Sequence, residues 1–281
     1  MAAKLLRRLY YVLSPEGRIW IRKIVYLPLD LFNRLRGGSD IKPDRGDIYI
    51  GSGDFIEQGK LQLKLLKKHT SLEPNSRVLD VGSGIGRTAI PLVSFLSNQG
   101  SYEGFDVVEK GVRWCKSHIT NKHPNFTFQY IPLSNDLYNS SDQSPESFTF
   151  PYKDGDFDTI FLFSVFTHMQ VEAIDHYLNE IARVMKKGGQ CLITGFIYDD
   201  QSEELASTQE NFGFPHKGEG YRLMSSKVKG ANVAIAKAKF LDICARNRLK
   251  LKYSIPGYWL SSQKKTDDNI FQDIMILEHL S

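Results

Sequence analysis

The feature that most constrains this chain is a glycine-rich turn directly after a short apolar strand. Residues 78–86 read Val-Leu-Asp-Val-Gly-Ser-Gly-Ile-Gly, so the acid Asp80 precedes three glycines at alternate positions. Glycine allows a tight turn and a close approach of backbone to a ligand where any Cβ would collide. A helix that starts near Arg87 would add free N–H groups at the same place. The pattern therefore predicts a strand, a ligand-binding turn and a helix in that order.

The spacing of the glycines differs from that of a dinucleotide-binding turn. A dinucleotide-binding turn has glycine at its first, third and sixth positions. Counted from Gly82, the sixth position of this turn is Arg87. The spacing therefore disfavours a dinucleotide-dependent oxidoreductase, which stays open as an alternative.

Strand-like and helix-like segments alternate along most of the chain. The pattern predicts strands over 77–81, 102–107, 126–131, 158–164 and 191–196, and helices over 54–69, 86–96, 111–122 and 171–185. Gly188 and Gly189 stand where glycine is expected after a helix. The rest is predicted as a polar stretch over 197–230, a helix over 231–247 and strands over 249–260 and 270–279. This alternation predicts an α/β fold with a parallel sheet covered by helices.

Several of these segments together resemble the class I S-adenosylmethionine-dependent methyltransferases. The stretch from Asp80 to Gly86 resembles their first motif, and Asp106 stands where their second strand ends in an acid. Residues 155–160 and 183–189 are similar to the family's fourth-strand entry and helix-end segments. Residues 164–169 resemble a bacterial subgroup that acts on small molecules or glycans. The resemblance covers about residues 70–196.

The resemblance implies a Rossmann-like seven-stranded sheet, mostly parallel with a C-terminal antiparallel hairpin, flanked by helices and preceded by a helical N-terminal extension. It implies S-adenosyl-L-methionine as the cofactor. Asp106 would accept the ribose hydroxyls, Asp80 would orient the methionine end, and Val107 would form an apolar wall for adenine. Pro132 stands where an aspartate is common in the family, which leaves Asn135 or Asp136 for the adenine edge. The implied cofactor-binding residues are Asp80, Gly82, Ser83, Gly84, Gly86, Asp106, Val107, Asn135, Asp136 and Ser164.

Methyl transfer mainly requires alignment of the nucleophile with the methyl group and exclusion of water. An alcohol acceptor also needs a base to remove its proton. His168 lies just past the predicted fourth strand and is the first candidate for that catalytic role, the alternative being a histidine that packs or caps the next helix. Gln272 and Asp273 are candidates for the substrate end of the cleft.

The segment 164–167 reads Ser-Val-Phe-Thr and has no proline, whereas base amino-methyltransferases carry an Asn/Asp-Pro-Pro-aromatic motif there. This disfavours a nucleic-acid acceptor and favours a small molecule or a glycan, methylated at oxygen. A non-catalytic scaffold that binds S-adenosylmethionine remains a second alternative.

Positive charge is concentrated at the start of the chain. Residues 1–38 hold eight Lys or Arg against two acids, a net charge of +6, whereas the whole chain carries +4. The rest of the chain therefore offers no broad basic surface for nucleic acid. Apolar residues are interleaved with the basic ones, but no run is long enough to span a bilayer. The segment is expected either to cover the catalytic domain as a lid or to make peripheral contact with an anionic membrane through residues 1–38. Pro28 and Asp30 favour the lid, because they would shorten a continuous surface helix.

The three cysteines, Cys115, Cys191 and Cys244, lie far apart without a Cys-x-x-Cys pair. The sequence therefore indicates no disulfide framework and no metal site, and a reducing cytoplasm is expected, with or without contact to the inner face of the membrane. Two regions are predicted: an N-terminal extension over 1–53 and a catalytic domain over 54–281 with a substrate-side insertion at about 197–230.

Overall fold

The computed structural model describes residues 15–35, 41–51, 53–135, 141–267 and 269–280. In the described parts the helices are α1 Pro15–Leu35, α2 Phe55–His69, α3 Ala89–Val93, α4 Glu109–Cys115, α5 Val171–Val184, α6 Glu203–Thr208 and α7 Lys237–Arg246. The strands are β1 Arg77–Val81, β2 Ser101–Asp106, β3 Phe126–Tyr130, β4 Phe157–Leu162, β5 Met185–Gly195, β6 Ile197–Tyr198, β7 His216–Lys217, β8 Tyr221–Leu223, β9 Val233–Ala236, β10 Leu249–Ile255 and β11 Asp273–His279.

Seven strands form the main sheet in the order β10-β11-β5-β4-β1-β2-β3. Strand β1 pairs in parallel with β2 and β4, and β5 pairs in parallel with β4. Strand β11 runs antiparallel to both of its neighbours, β5 and β10. The predicted α/β class and the mostly parallel seven-stranded sheet with its C-terminal hairpin are confirmed.

Helices cover the two faces of this sheet, because alternate strand residues point to opposite sides. Leu79 and Val81 of β1 pack in one cluster with α5 and α7, whereas Val78 packs in another with α2, α3 and α4. Both faces of the central strands are therefore apolar, as expected for a parallel sheet. The polar side chains that can bind a ligand therefore lie at the carboxyl ends of the strands.

The stretch predicted as polar, 197–230, contributes three strands to a second, four-stranded sheet in the order β6-β9-β8-β7, and the fourth strand, β9, follows it. Its strand β9 occupies Val233–Ala236, so the helix predicted over 231–247 is wrong at its start and begins only at Lys237. The four β9 residues pair with β6 on one side and β8 on the other. Backbone pairing with distant segments overrides the local helical pattern.

Two other local predictions fail for similar reasons. The strand predicted over 191–196 begins six residues earlier, at Met185, directly after the helix predicted over 171–185, which ends at Val184. The short helix α3 covers only five of the residues predicted as helical over 86–96. In both places sheet and loop contacts set the boundary.

Helix α1 is continuous from Pro15 to Leu35 with Pro28 inside it, so the expectation that Pro28 and Asp30 shorten it is wrong. Asp30 is buried and accepts the backbone N–H groups of Arg45 and Gly46 at 2.8 and 2.9 Å. This carboxylate fastens the helix to the segment that leads into the catalytic domain. None of the helices described, α1 included, has the length and apolar character needed to cross a membrane.

Candidate active site

The glycine turn is held in place by the neighbouring strand. The backbone N–H groups of Gly82 and Ser83 both donate to the carbonyl of Phe105 in β2, at 2.9 and 3.0 Å. Gly82 has φ +81°, and a Cβ there would lie 2.5 Å from Cγ2 of Val165. Both the backbone conformation and the space therefore require glycine.

Asp106 closes the turn from the end of β2. One carboxylate oxygen accepts the N–H of Gly84 at 2.7 Å, and the other accepts the N–H of Val108 at 2.8 Å. Burial raises the pKa of Asp106 to about 6, although these N–H groups oppose the rise. Each oxygen keeps a second lone pair, because a carboxylate has about four acceptor positions.

Asp80 lies at the end of β1, next to Asp106 in the same cavity. Its Oδ2 accepts the Tyr102 hydroxyl at 2.6 Å. Burial raises the pKa of Asp80 to about 8, the Tyr102 hydrogen bond opposes the rise, and the charge of Asp106 adds to it. Sequence reasoning missed Tyr102, since only the β1–β2 pairing brings its ring beneath the acid.

A cavity of about 370 Å³ runs over the carboxyl ends of β2, β1 and β4. This volume lies within the range of small-molecule sites. Eight of the eleven residues predicted to bind the cofactor or to act as the base line it: Asp80, Gly82, Ser83, Asp106, Val107, Asn135, Ser164 and His168. Gly84 and Gly86 do not line it. Asp136 lies outside the described residues.

Gly84 and Gly86 allow neighbouring side chains to pack closely against the turn. Gly84 donates its N–H to Asp106 and packs beneath Ile50, whose Cδ1 would be 2.9 Å from a Cβ. At Gly86 a Cβ would lie 2.9 Å from Cδ1 of Ile119 and 3.0 Å from Sγ of Cys115. Gly86 therefore allows close packing on the α4 region.

The segment 48–51, before α2, covers one side of the cavity and was missed by sequence reasoning. Tyr49, Ile50 and Gly51 all line the cavity. Arg87 donates from Nη2 to the carbonyl of Ile50, and its guanidinium carbon lies 5.3 Å from the centre of the Phe55 ring. Arg87, which stands where a dinucleotide-binding turn has its third glycine, therefore holds the segment 48–51 in place over the cavity. No local pattern in the segment could have placed it there.

A polar cluster lies where β4 and β5 end and β11 begins. Ser164 has φ +63°, and its N–H donates to Oγ1 of Thr194 at 2.9 Å. Both the Ser164 and the Thr194 hydroxyls donate to Oε1 of Gln272, at 2.9 and 2.7 Å. Gln272 lines the cavity.

Its neighbour Asp273 turns away and accepts Gly257 N–H, Ile197 N–H and the Trp259 indole N–H, each within 2.8 Å. Of the two residues considered for the substrate end, Gln272 therefore lies in the cavity and Asp273 does not line it.

His168 lines the cavity from a short turn after β4. Its Nδ1 lies 2.8 Å from the carbonyl oxygen of Gly230, in the turn that precedes β9. Burial lowers the pKa of His168, and the backbone carbonyls of Gly230 and Ala231 oppose that change. The imidazole is therefore neutral near pH 7 and connects the insertion to the main domain.

Comparison with known proteins agrees with this architecture. A family model described as a methyltransferase domain matches residues 72–248. Among solved structures, a Streptomyces caelestis methyltransferase, CcbJ, is 11% identical with a TM-score of 0.53, over 84% of this chain and 96% of that chain. An S-adenosylmethionine-dependent methyltransferase from Clostridium acetobutylicum is 11% identical with a TM-score of 0.52, over 82% and 94%. One from Methanosarcina mazei is 15% identical with a TM-score of 0.50, over 77% and 97%.

At these identities the structural likeness establishes the fold, and the family model covers more than half of the chain. The family and the cofactor predicted from the sequence are confirmed. The chain belongs to the methyltransferase-domain family and is an S-adenosylmethionine-dependent methyltransferase.

Proposed function

We propose that this enzyme transfers the methyl group to an oxygen atom of a small-molecule or glycan acceptor. The observation that carries the proposal is one continuous cavity that joins Asp106 at the end of β2 to His168 and Gln272 beyond the end of β4. One ligand-binding carboxylate and one candidate base thus share a single space.

The residues present fit the cofactor. Gly82 and Ser83 line the cavity beside Asp106, and both oxygens of Asp106 have acceptor positions for ribose hydroxyls. The buried hydroxyl of Ser83 has no hydrogen-bond partner within the described part of the chain. When bound, S-adenosylmethionine supplies a methyl group on a positively charged sulfur.

The strand order assigns the two ends of the cavity. Strand β1 lies between β2 and β4, so Asp80 lies between the proposed ribose site at Asp106 and the cluster at Ser164. Val107 and Leu133 supply apolar surface on the Asp106 side, as the adenine assignment requires. The acceptor would then enter on the side of Ser164, His168 and Gln272.

His168 supports an oxygen acceptor, because a hydroxyl must lose its proton as the methyl group is transferred. Burial keeps the ring neutral, and a neutral imidazole can accept that proton. The contact with Gly230 would hold the ring in one orientation. The Ser164–Gln272 pair offers polar groups for the rest of the acceptor.

The test is methyl transfer from S-adenosylmethionine with an isotope-labelled methyl group to a panel of oligosaccharides, sugar nucleotides, small alcohols and amines. Nuclear magnetic resonance of the product identifies the atom that carries the label. We expect an O-methyl product, and label found only on nitrogen or carbon would contradict the proposal. The Asp106→Asn protein serves as the control that should form little product.

A further inference from the structure

Helix α1 is mounted on the domain through its polar side. Asp30 accepts two backbone N–H groups of the turn at 45–47, and Arg22 donates to the carbonyl of Arg45 at 3.3 Å. Lys23 forms an ion pair with Asp47 at 3.4 Å. At 3.6 residues per turn these contact residues share about one third of the helix circumference. The usual arrangement, in which a surface helix buries its apolar face, is reversed.

The opposite side of α1 is apolar and faces solvent. Eight large apolar side chains there are between 47% and 68% exposed: Trp20, Ile21, Ile24, Val25, Leu27, Leu29, Leu31 and Phe32. Their positions span about 200° of the circumference, with the position of Arg18 falling between those of Val25 and Leu29. The lid interpretation requires these side chains to pack on the catalytic domain, and they do not. An exposed apolar surface of this kind marks an interaction site.

Charge identifies the occupant of this surface. Residues 1–38 carry a net charge of +6, and two of their eight basic residues, Arg22 and Lys23, contact the turn at 45–47. An anionic lipid surface attracts such a segment, whereas a second copy of the chain would bring two +6 segments together. Trp20, 68% exposed, is of the residue type that favours the membrane–water interface. We infer that α1 docks this enzyme on anionic membranes, lying flat in the interface.

The position of α1 links this surface to the active site. The turn at 45–47 that holds the helix continues into Tyr49 and Ile50, which line the cavity. Asp47 also pairs with Lys110 of α4 at 2.5 Å, so the helix, the turn and the catalytic domain are connected by ionic contacts. Docking through α1 would therefore bring the cavity close to molecules held at the membrane surface. This last step rests on the proposed function, whereas the docking itself does not.

The experiment is co-sedimentation of the full chain with phosphatidylcholine vesicles that contain or lack phosphatidylglycerol. The test variant is Trp20→Glu/Ile24→Glu/Leu31→Glu, which changes only exposed positions on the apolar side of α1. The matched control is Leu280→Glu, an equally exposed apolar residue, 54%, outside the helix. We expect the wild type and the control to bind only the anionic vesicles and to dissociate as salt rises. The triple variant should bind at least tenfold more weakly.

No binding of the wild type to anionic vesicles, or equal binding of the triple variant, would overturn the inference. A wild-type dimer that the triple variant converts to monomer, without vesicle binding, would assign the surface to a second copy instead. Titration with S-adenosylhomocysteine is run on the same proteins. Normal affinity in the triple variant separates a failure of docking from a failure of the proposed function.

Discussion

Replacing Asp106 by asparagine tests the proposed cofactor site most directly. The carboxylate accepts the N–H groups of Gly84 and Val108 and has lone pairs left for ribose hydroxyls. An asparagine oxygen can keep only one of the N–H contacts, because its amide nitrogen is a donor. The neutral amide also avoids the cost of burying a charge, so we expect the variant to fold.

The expected loss of affinity follows from the hydrogen bonds. A hydrogen bond to a charged acceptor contributes about 1.5–3 kcal/mol. Losing one such bond to a ribose hydroxyl would weaken S-adenosylhomocysteine binding roughly 10- to 150-fold. Isothermal titration calorimetry at pH 7.5 measures this difference.

The pH dependence gives a second readout. Burial raises the pKa of Asp106 to about 6 in the ligand-free protein, and hydroxyl donors stabilise the ionised form when ligand binds. Affinity should therefore increase as pH rises through about 6, and fall by about tenfold for each unit below it. Asp80, whose pKa burial raises to about 8, should add a separate step at higher pH. The Asp106→Asn protein should lose the lower step, and its upper step should move to lower pH, because the charge of Asp106 contributes to the raised pKa of Asp80.

The chain offers a matched control in Asp273. Burial raises its pKa to about 6 as well, and it holds two backbone N–H groups, but it does not line the cavity. Asp273→Asn should change stability without moving either the affinity or its pH dependence. If folded Asp106→Asn binds like the wild type with the same lower step, the ribose assignment is refuted.

Three further substitutions test other parts of the site. Gly82→Ala puts a Cβ 2.5 Å from Cγ2 of Val165. The clash should lower the free energy of unfolding by about 1–3 kcal/mol. It should also weaken S-adenosylhomocysteine binding at least tenfold, since the turn lines the cavity. Gly188→Ala is the control, because Gly188 has the same φ of +81° but a Cβ there would have no atom within 4 Å, and it should leave binding unchanged. Chemical denaturation measures the stability of both variants, and calorimetry measures their ligand affinity. His168→Ala should lower turnover on the order of 10²–10⁴-fold with cofactor affinity intact, and normal steady-state turnover in a folded protein would remove it as the base. Gln272→Met should lower the free energy of unfolding by about 1–3 kcal/mol, because the Ser164 and Thr194 hydroxyls lose their acceptor. It should also raise KM for the acceptor by up to roughly tenfold, because a hydrogen bond from the acceptor, about 0.5–1.5 kcal/mol, is lost, and unchanged acceptor kinetics in the folded protein would place the acceptor elsewhere.

Local sequence determined the features that depend on nearest neighbours. The turn after β1 is specified by three glycines that all have positive φ. The site position of Asp106 could be predicted because this acid is the last residue of the next strand. Periodicity placed α2 within one residue and found the strands of the main sheet. These signals are local because each strand end or turn needs its particular side chains whatever the rest of the chain does.

Tertiary structure alone decided the contacts between distant segments. Tyr102 beneath Asp80, Ile50 over the glycine turn, and Gly230 against His168 depend on strand pairing and loop packing. The strand β9, inside a helix-like stretch, exists because its backbone groups pair with β6 and β8. Such pairing satisfies buried N–H and C=O groups, and its free energy outweighs local helical propensity, which amounts to about 0.5 kcal/mol per residue. For that reason the turn and its acid can be predicted from the sequence, whereas the contacts that distant segments make around the cavity cannot.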